Sequence, residues 1–402
     1  MIATKEASGS PLEVFRAFLK LGVSCFGGPI AHLGYFRDEF VTRRKWLDEE
    51  AYADLVALAQ FLPGPASSQV GFSLGLLRAG YLGGLLAFIA FTLPSALILV
   101  AFAYGAAALE GPLGSGLLHG LRLVAVAIVA YAVWGMARAL CPDRARAAIA
   151  VGAALMTLAS AHAVAQIGAI LFGGLAGLIF CQTDAQPIEG HLPLSVSPRA
   201  GIIALALFFF LMAALPLLRS LHISPVIELF DAFYRAGALV FGGGHVVLPL
   251  LREAVVARGW VSDSAFLAGY GAAQAVPGPL FTFSAYLGTI VKGPPNGLAG
   301  AAISLFAIFL PGLLAMTGVL PFWDSFRRRA NAQAAMRGVN AAVVGLLGAA
   351  LYNPVWTTSI KTEADFGLAL SCFVLLAVWR LPPLVIVVVS AIGGIALAAF
   401  NM

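Results

Sequence analysis

Long runs of apolar residues restrict what this chain can fold into more than any other feature of its sequence. A helix needs about 20 apolar residues to cross roughly 30 Å of hydrocarbon, and a segment inside lipid must satisfy its own backbone hydrogen bonds. Charged residues make up only 11% of the chain, whereas soluble domains have about 25%. We therefore expect an all-α polytopic membrane protein. The predicted spanning segments are residues 83–109, 117–140, 147–161, 167–181, 201–218, 297–320, 338–352, 366–379 and 383–400.

The first half of the sequence returns in the second half. Matches recur in the same order and at nearly constant spacing, which indicates a tandem duplication. The predicted halves are residues 1–199 and 200–402. The clearest matched pairs are Phe26-Gly27-Gly28 with Phe241-Gly242-Gly243, Trp46 with Trp260, Pro63-Gly64-Pro65 with Pro277-Gly278-Pro279, and Leu93-Pro94 with Leu310-Pro311.

The loop charges predict that the two halves are inverted relative to each other. The loop after the Gly-Gly motif is basic in the first half, with Arg43, Arg44 and Lys45, and its counterpart in the second half has fewer cations. In the loop after the Leu-Pro helix the difference is reversed, because the basic cluster lies in the second half, at residues 327–337. Since cytoplasmic loops carry an excess of Lys and Arg, this alternation indicates inverted repeats. We expect about 13 helical segments, counting half-helices.

Each copy of the Pro-Gly-Pro motif interrupts an apolar segment. In the first half, residues 51–62 and 66–77 each make about 18 Å of helix, which is too short to cross a membrane alone. A proline disfavours helical geometry in the residue before it, so the helix must break at Pro63 and at Pro277. We expect two half-helices that meet at mid-membrane as a re-entrant hairpin, an arrangement that marks a binding site in membrane carriers. The alternative is that the motif only shapes packing.

Hydroxyl side chains follow both breaks. Ser67 and Ser68 lie in the first turn after the first break, and Thr282 and Ser284 follow the second break. A helix N-terminus presents unpaired N–H groups and a partial positive charge, which favours anions. Two such ends at one centre would suit a dianion with four oxygens. The alternative for each hydroxyl is a bond back to its own helix.

Two matched cations lie inside apolar sequence. Lys20 and Arg235 each precede a Gly-Gly motif, and a cation within the membrane is costly and usually functional. The alternative is that each side chain snorkels to the interface. Arg37 and Arg252 are a second matched pair, for which we expect ion pairs that hold each half together. His245 follows the second Gly-Gly motif, where it could line a pore and titrate or else pack as a neutral side chain.

These motifs together resemble the chromate ion transporter family in its long form with two repeats. The resemblance covers nearly the whole chain and departs from the pattern at Gly244, where the first copy has Pro29. It implies export of chromate across the bacterial inner membrane and chromate resistance, coupled to the proton motive force or to sulfate exchange. The motifs that carry it are Phe26-Gly27-Gly28, Trp46-Leu47, the stretch from Gln60 to Pro65, Gly83-Gly84 with Leu93-Pro94, and their second-half copies.

The candidate substrate-binding residues belong to the two breaks, the Gly-Gly motifs and the matched cations. They are Lys20, Gly27, Gly28, Gln60, Pro63, Gly64, Pro65, Ser67, Ser68, Arg235, Gly242, Gly243, His245, Gln274, Pro277, Gly278, Pro279, Thr282 and Ser284.

Three other functions compete with chromate export. A transporter or channel for sulfate or another inorganic anion fits the same residues, because sulfate shares the shape and charge of chromate. An intramembrane enzyme such as a reductase would need a redox motif, and the sequence shows no paired cysteines or dinucleotide loop. A non-transporting scaffold would not need paired breaks. We expect no enzyme activity, no cofactor, no metal site and no nucleic-acid partner; the expected partners are the anion and the lipid bilayer, with a homodimer left open.

Overall fold

The computed structural model of the protein describes residues 9–26, 28–107, 111–159, 163–182, 196–221, 223–241, 246–323 and 329–400. In these residues the structure is helical and contains no strand, with 16 helices of eight residues or more. The all-α prediction is therefore confirmed, and the number of helices exceeds the predicted 13 because short helices follow each Gly-Gly motif.

The first half contributes seven helices and the second half eight, with one further helix between them. The first seven are α1 Pro11–Ser24, α2 Gly28–Phe36, α3 Glu49–Phe61, α4 Ala66–Ala107, α5 Gly111–Leu140, α6 Arg144–Ala159 and α7 Ala163–Phe180. The helix between the halves is α8 Pro198–Ser220. The remaining eight are α9 Pro225–Ala238, α10 Val247–Val255, α11 Asp263–Ala273, α12 Phe283–Ile290, α13 Gly297–Val319, α14 Ala330–Ala350, α15 Glu363–Ala377 and α16 Pro383–Phe400.

Matched helices begin with matched caps. Ser10 caps α1 by accepting the Glu13 N–H at 3.1 Å, and Ser224 caps α9 in the same way. Both helices have proline in their first turn, where a missing N–H costs nothing. Asp48 and Ser262 cap α3 and α11. The duplicated sequence thus sets the same helix starts in both halves.

Among the residues that the structure describes, five helical stretches are long and apolar enough to cross a membrane, and the protein is a multi-pass membrane protein. Large apolar side chains stand exposed on them; Phe209 and Phe210 of α8, for example, are each 64% exposed. Such a surface is stable against lipid and unfavourable in water. The five stretches are Ala66–Ala106, Leu113–Leu140, Pro198–Ser220, Gly297–Phe322 and Ala330–Ser359.

Both predicted re-entrant hairpins are present. In the first half the chain breaks between α3 and α4, and the Arg78 guanidinium then returns to lie 5.5 Å from the ring of Trp46, which precedes α3. In the second half the Lys292 N–H donates to the Trp260 carbonyl at 3.0 Å, so that α12 returns to the start of α11. We call the two surfaces at which these hairpins begin the first-half face and the second-half face. Beyond Arg78, α4 kinks at Gly80 and runs away from the first-half face.

The two faces lie on opposite sides of the protein. The far end of α4 reaches the start of α13, because a Cβ placed on Gly297 would lie 3.0 Å from the Tyr104 hydroxyl. The other end of α13 returns to the first hairpin, where the Trp323 Nε1–H donates to Asp54 Oδ1 at 2.9 Å. The helix α13 therefore runs from the second-half face to the first-half face, antiparallel to α4. This confirms that the repeats are inverted.

The helix α8 makes the inversion possible. The chain crosses the protein in the second arm of α4 and in α5, α6 and α7, which returns it to the first-half face. One more crossing is needed before the second repeat can begin on the opposite side. At its start, Gly201 of α8 packs against Pro321 beside the end of α13, and at its end Arg219 bonds Asp231 of α9 at 3.0 Å. The predicted boundary at residues 199 and 200 falls at the beginning of this helix and stays a prediction.

The two halves exchange helices. The helix α5 packs against α15 and α16 of the second half, and α14 packs against α6 and α7 of the first half. His119 Nε2 lies 2.6 Å from Asp365 Oδ1, and the Ser390 hydroxyl donates to the Gly120 carbonyl at 2.8 Å. In the matching interface Gly338 lies against the Gly173 carbonyl so closely that a Cβ would overlap it. Small residues let the helix backbones approach, as is usual for packing inside membranes.

Matched ion pairs also fix each hairpin to the helix before it. Arg37 Nε lies 2.6 Å from Glu49 Oε1, and Arg252 Nε lies 2.9 Å from Asp263 Oδ1. Each arginine follows a Gly-Gly motif, and each acid begins α3 or α11. The ion pairs expected for these two arginines are therefore present, with partners in the first turn of the hairpin.

The inversion predicts the accessibility of two equivalent exposed residues. Glu50 and Ser264 lie in the first turns of α3 and α11. We expect Glu50→Cys and Ser264→Cys, each in a variant that lacks the four native cysteines, to react with an impermeant thiol reagent from opposite sides of the membrane. Lys45→Cys should label from the same side as Glu50→Cys. Labelling of positions 50 and 264 from one side would contradict the inversion.

Candidate functional site

The two breaks contact each other's half through a reciprocal pair of backbone hydrogen bonds. The Gly64 N–H donates to the Val240 carbonyl at 2.7 Å, and the Gly278 N–H donates to the Cys25 carbonyl at 2.8 Å. Cys25 and Val240 occupy equivalent positions, immediately before the two Phe-Gly-Gly motifs. Each glycine has a positive φ, +117° for Gly64 and +97° for Gly278, which other residues rarely adopt. The breaks therefore meet near a pseudo-twofold axis.

The Leu-Pro helices pass directly over the breaks of the opposite half. A Cβ on Gly64 would lie 2.7 Å from the Gly312 Cα, and a Cβ on Gly278 would lie 2.9 Å from the Ser95 hydroxyl. Gly312 and Ser95 follow Leu310-Pro311 and Leu93-Pro94, so they are also equivalent. Gln69 Nε2 donates to the carbonyls of Pro63 and Gly312, both at 2.9 Å. The Pro-Gly-Pro motifs, the Leu-Pro helices and the residues before the Phe-Gly-Gly motifs thus converge at one centre.

The first turn of α4 presents hydrogen-bond donors at this centre. The first intrahelical bond there runs from the Gln69 N–H to the Pro65 carbonyl, so the N–H groups of Ala66, Ser67 and Ser68 precede it. Ser67 and Ser68 are each 2% exposed. The Ser68 hydroxyl has no hydrogen-bond partner among the described residues. This is the group of donors that the sequence predicted after the first break.

His32 lies beside these serines. Its side chain is 1% exposed, its Nδ1 lies 3.4 Å from the Ser67 hydroxyl, and its ring meets the Phe91 ring edge to face at 5.3 Å. The Nε2 atom has no partner in the described part of the chain. The comparison of the two repeats did not identify His32. Val247 occupies the equivalent position in the second half, so His32 is not part of a matched pair.

The second break is built differently from the first. Residues Leu280–Thr282 form a 3-10 turn, and the Thr282 hydroxyl donates to the Pro279 carbonyl at 2.7 Å. For Thr282, therefore, the bond back to its own helix is the observed arrangement. Ser284 is fully buried, and its hydroxyl has no partner among the described residues. The two halves are unequal in the donors that they bring to the centre.

The other predicted residues divide into those beside the breaks and those farther away. Pro65, Pro277 and Pro279 are buried, Pro63 and Gln274 are partly buried, and Gln60 is exposed. Gly28 begins α2 with a positive φ of +78°. Lys20 is exposed, whereas its counterpart Arg235 is half-buried and lines a cavity of about 860 Å³ in the second half. Gly27, Gly242, Gly243 and His245 lie outside the described residues.

Inverted repeats, broken helices and unpaired donors at the meeting point of the breaks are the architecture of a membrane transporter. The comparisons with known proteins agree with this class. The family model described as chromate transporter matches residues 12–178 and 227–395, on either side of α8, and the chain belongs to that family.

Curated relatives cover most of the chain. It is 29% identical to a chromate transport protein of Pseudomonas aeruginosa, over 97% of this chain and 94% of that protein. It is 29% identical to a probable chromate transport protein of Synechococcus elongatus, over 95% of this chain and 94% of that protein. It is 26% identical to a chromate transport protein of Cupriavidus metallidurans, over 84% of this chain and 81% of that protein. No solved structure matches this chain.

The close approach at the first break predicts a large cost for a single methyl group. We expect Gly64→Ala to lower the thermal stability of the purified protein markedly, because its φ costs about 1–3 kcal/mol for other residues and the Cβ would press on Gly312. Gly135→Ala is the control, since open space surrounds that helical glycine. Equal melting temperatures for the two variants in detergent would contradict the tight contact between the halves.

Proposed function

We propose that this protein is a secondary transporter that exports chromate from the bacterial cytoplasm and thereby confers chromate resistance. One observation carries the proposal: the buried Ser68 hydroxyl and the Nε2 atom of the buried His32, neither of which has a hydrogen-bond partner among the described residues, lie at and beside the first turn of α4. A buried polar group without a protein partner costs free energy unless a water molecule or a ligand completes its bonds. The family and the named relatives supply chromate as the substrate.

The donors at this turn fit a tetrahedral dianion. The N–H groups of Ala66, Ser67 and Ser68 would hold one side of the anion, and the Ser68 hydroxyl and His32 Nε2 would approach it from others. The helix N-terminus adds a partial positive charge, and electrostatic attraction is strong in a surrounding of low polarity. Ser284 would contribute a donor from the second half. Thr282 would shape the turn through its own backbone bond.

The remaining candidate residues take supporting roles in this proposal. The glycines and prolines of both breaks, with Gln60 and Gln274, hold the backbone open, and Lys20 and Arg235 attract the anion from the two faces. Gly27, Gly28, Gly242, Gly243 and His245 stay proposed members of the site. The two repeats form the domains 1–199 and 200–402.

The distribution of cations favours one orientation in the inner membrane. Arg37, Arg43, Arg44 and Lys45 belong to the first-half face, and the loop at Arg144 returns to it. Because positive loops stay in the cytoplasm, the first-half face is the cytoplasmic one. Export then runs from the first-half face to the second-half face, driven by the proton motive force or by exchange for sulfate.

Sulfate is the second candidate substrate. Backbone N–H groups and hydroxyls recognise oxygen positions and charge, which chromate and sulfate share. Sulfate should therefore compete with chromate for the purified protein. The preference is obtained by comparing the dissociation constant of chromate with the inhibition constant of sulfate in this competition.

Removing both prolines of the first break tests the helix-terminus site. Pro63→Ala combined with Pro65→Ala should let α3 and α4 join, which would return the N–H groups of residues 66–68 to intrahelical bonds. Chromate binding to the purified protein should then fall far more than thermal stability does. Normal affinity in this variant would show that the break serves packing or gating, and the proposed site would have to be abandoned.

A matched pair of hydroxyl variants tests which half supplies the donors. Ser68→Ala should weaken chromate binding about tenfold, since a hydrogen bond to a charged group contributes about 1.5–3 kcal/mol and 1.4 kcal/mol corresponds to a factor of ten. Thr282→Ala should change the affinity little, because its hydroxyl is already bonded to Pro279. Titration calorimetry on both variants gives the comparison. A larger loss for Thr282→Ala would assign the site to the second break.

A further inference from the structure

A large cavity in the second half is lined by arginines from three different elements. Its volume is about 860 Å³, and Arg219 at the end of α8, Arg235 of α9 and Arg258 after α10 form part of its wall. Two acids, Glu228 and Glu253, also line it. Guanidinium groups present several donors in a plane that matches the oxygens of an oxyanion. The wall therefore has the chemistry of an anion site.

The positive charges of this wall crowd one another. Burial lowers the pKa of Arg258, the positive charges of Arg219 and Arg235 lower it as well, and the carboxylates of Asp231 and Glu228 act in the opposite direction. The Arg258 guanidinium lies 4.9 Å from the centre of the Trp260 ring, a contact that favours its place in the wall. Arg219 bonds the fully buried Asp231 at 3.0 Å. An added anion would therefore be attracted chiefly by Arg235 and Arg258.

The cavity wall includes residues at the second-half face and a residue next to the contact between the halves. Trp260, which precedes the second hairpin, lines the cavity, and Leu239 lines it as well. The residue after Leu239 is Val240, whose carbonyl accepts the Gly64 N–H at the first break. One residue of the wall is therefore adjacent in the chain to a residue of the contact between the two halves.

The cations on the first-half face are arranged differently. Arg43 and Arg44 bond the buried Glu39 at 2.6 and 2.7 Å, and Arg78 bonds Glu13 at 3.1 Å. These ion pairs engage all three arginines around Trp46, the equivalent region of the first half. In the cavity wall, Arg219 is paired with Asp231, whereas Arg235 and Arg258 form no ion pair with a described residue.

We propose that the cavity is the vestibule through which a divalent tetrahedral oxyanion moves between the second-half face and the break, and that Arg258 holds the anion there. This inference rests on the proposed function, of which it names one further site. The acids on the wall limit its net positive charge, so that an anion is attracted without being trapped. In the proposed orientation, chromate leaves through this vestibule and an exchanged anion is loaded from it.

Transport measured separately from the two faces tests the vestibule. Arg258→Gln and its parent, both carrying Ser264→Cys in the variant that lacks the four native cysteines, are reconstituted in liposomes. Vesicles of each orientation are identified by labelling at position 264, and chromate is presented at one face at a time. We expect Arg258→Gln to raise KM about tenfold at the second-half face, with kcat and the first-half KM nearly unchanged. Added salt should shrink the difference, because screening weakens the attraction.

Arg252→Gln is the matched control. Arg252 belongs to the same face, but it pairs with Asp263 and does not line the cavity. Its variant should keep the wild-type KM at both faces. An equal change at both faces for Arg258→Gln, or no change at either, would overturn the vestibule while leaving chromate transport intact. A wild-type protein that moves chromate from neither face would overturn the proposed function as well.

Discussion

A backbone N–H group in the middle of a membrane must find an acceptor within the protein, and the whole architecture follows from how two such groups are satisfied. The re-entrant hairpins leave the N–H groups of Gly64 and Gly278 free at mid-depth, and each is bonded by a carbonyl of the opposite half. This reciprocal solution requires the halves to be inverted, requires glycine at both positions and brings the Leu-Pro helices over the breaks. It also aims the first turn of α4 at the centre.

The halves share this framework and differ in what they place on it. The first half supplies the Ser68 hydroxyl and His32 Nε2, which have no partner among the described residues. In the second half, the Thr282 hydroxyl donates a hydrogen bond to the Pro279 carbonyl in its own turn. In the second half, Arg219, Arg235 and Arg258 line a cavity, and Arg219 is paired with Asp231; on the first-half face, the arginines are held in ion pairs with Glu13 and Glu39. The two copies of the duplicated sequence therefore carry different polar groups on the same backbone contacts.

Much of the fold could be predicted from the sequence because it depends on local composition and on repetition. Apolar runs located the spanning helices, the Pro-Gly-Pro motifs located the breaks, and loop charges indicated the inversion. The exchange of helices could not be predicted, because it depends on Gly120 and Gly338 meeting helices far away in the sequence. Within the candidate site, the place of the serines in the first turn after a break could be predicted from the sequence. The position of His32 beside them could not, because it arises only from the packing of α2 against α4.

The exchange of helices has a consequence for the order of events during biosynthesis. The helix α5 leaves the ribosome early, yet the surface around Gly120 is completed by Ser390 of α16, 270 residues later in the chain. The helices of the first half must therefore wait in the lipid with unfilled grooves until α16 has been translated. Membrane insertion of the early helices and their final packing are separate stages for this protein. Loss of α16 would leave a defect beside α5, a helix that is made much earlier.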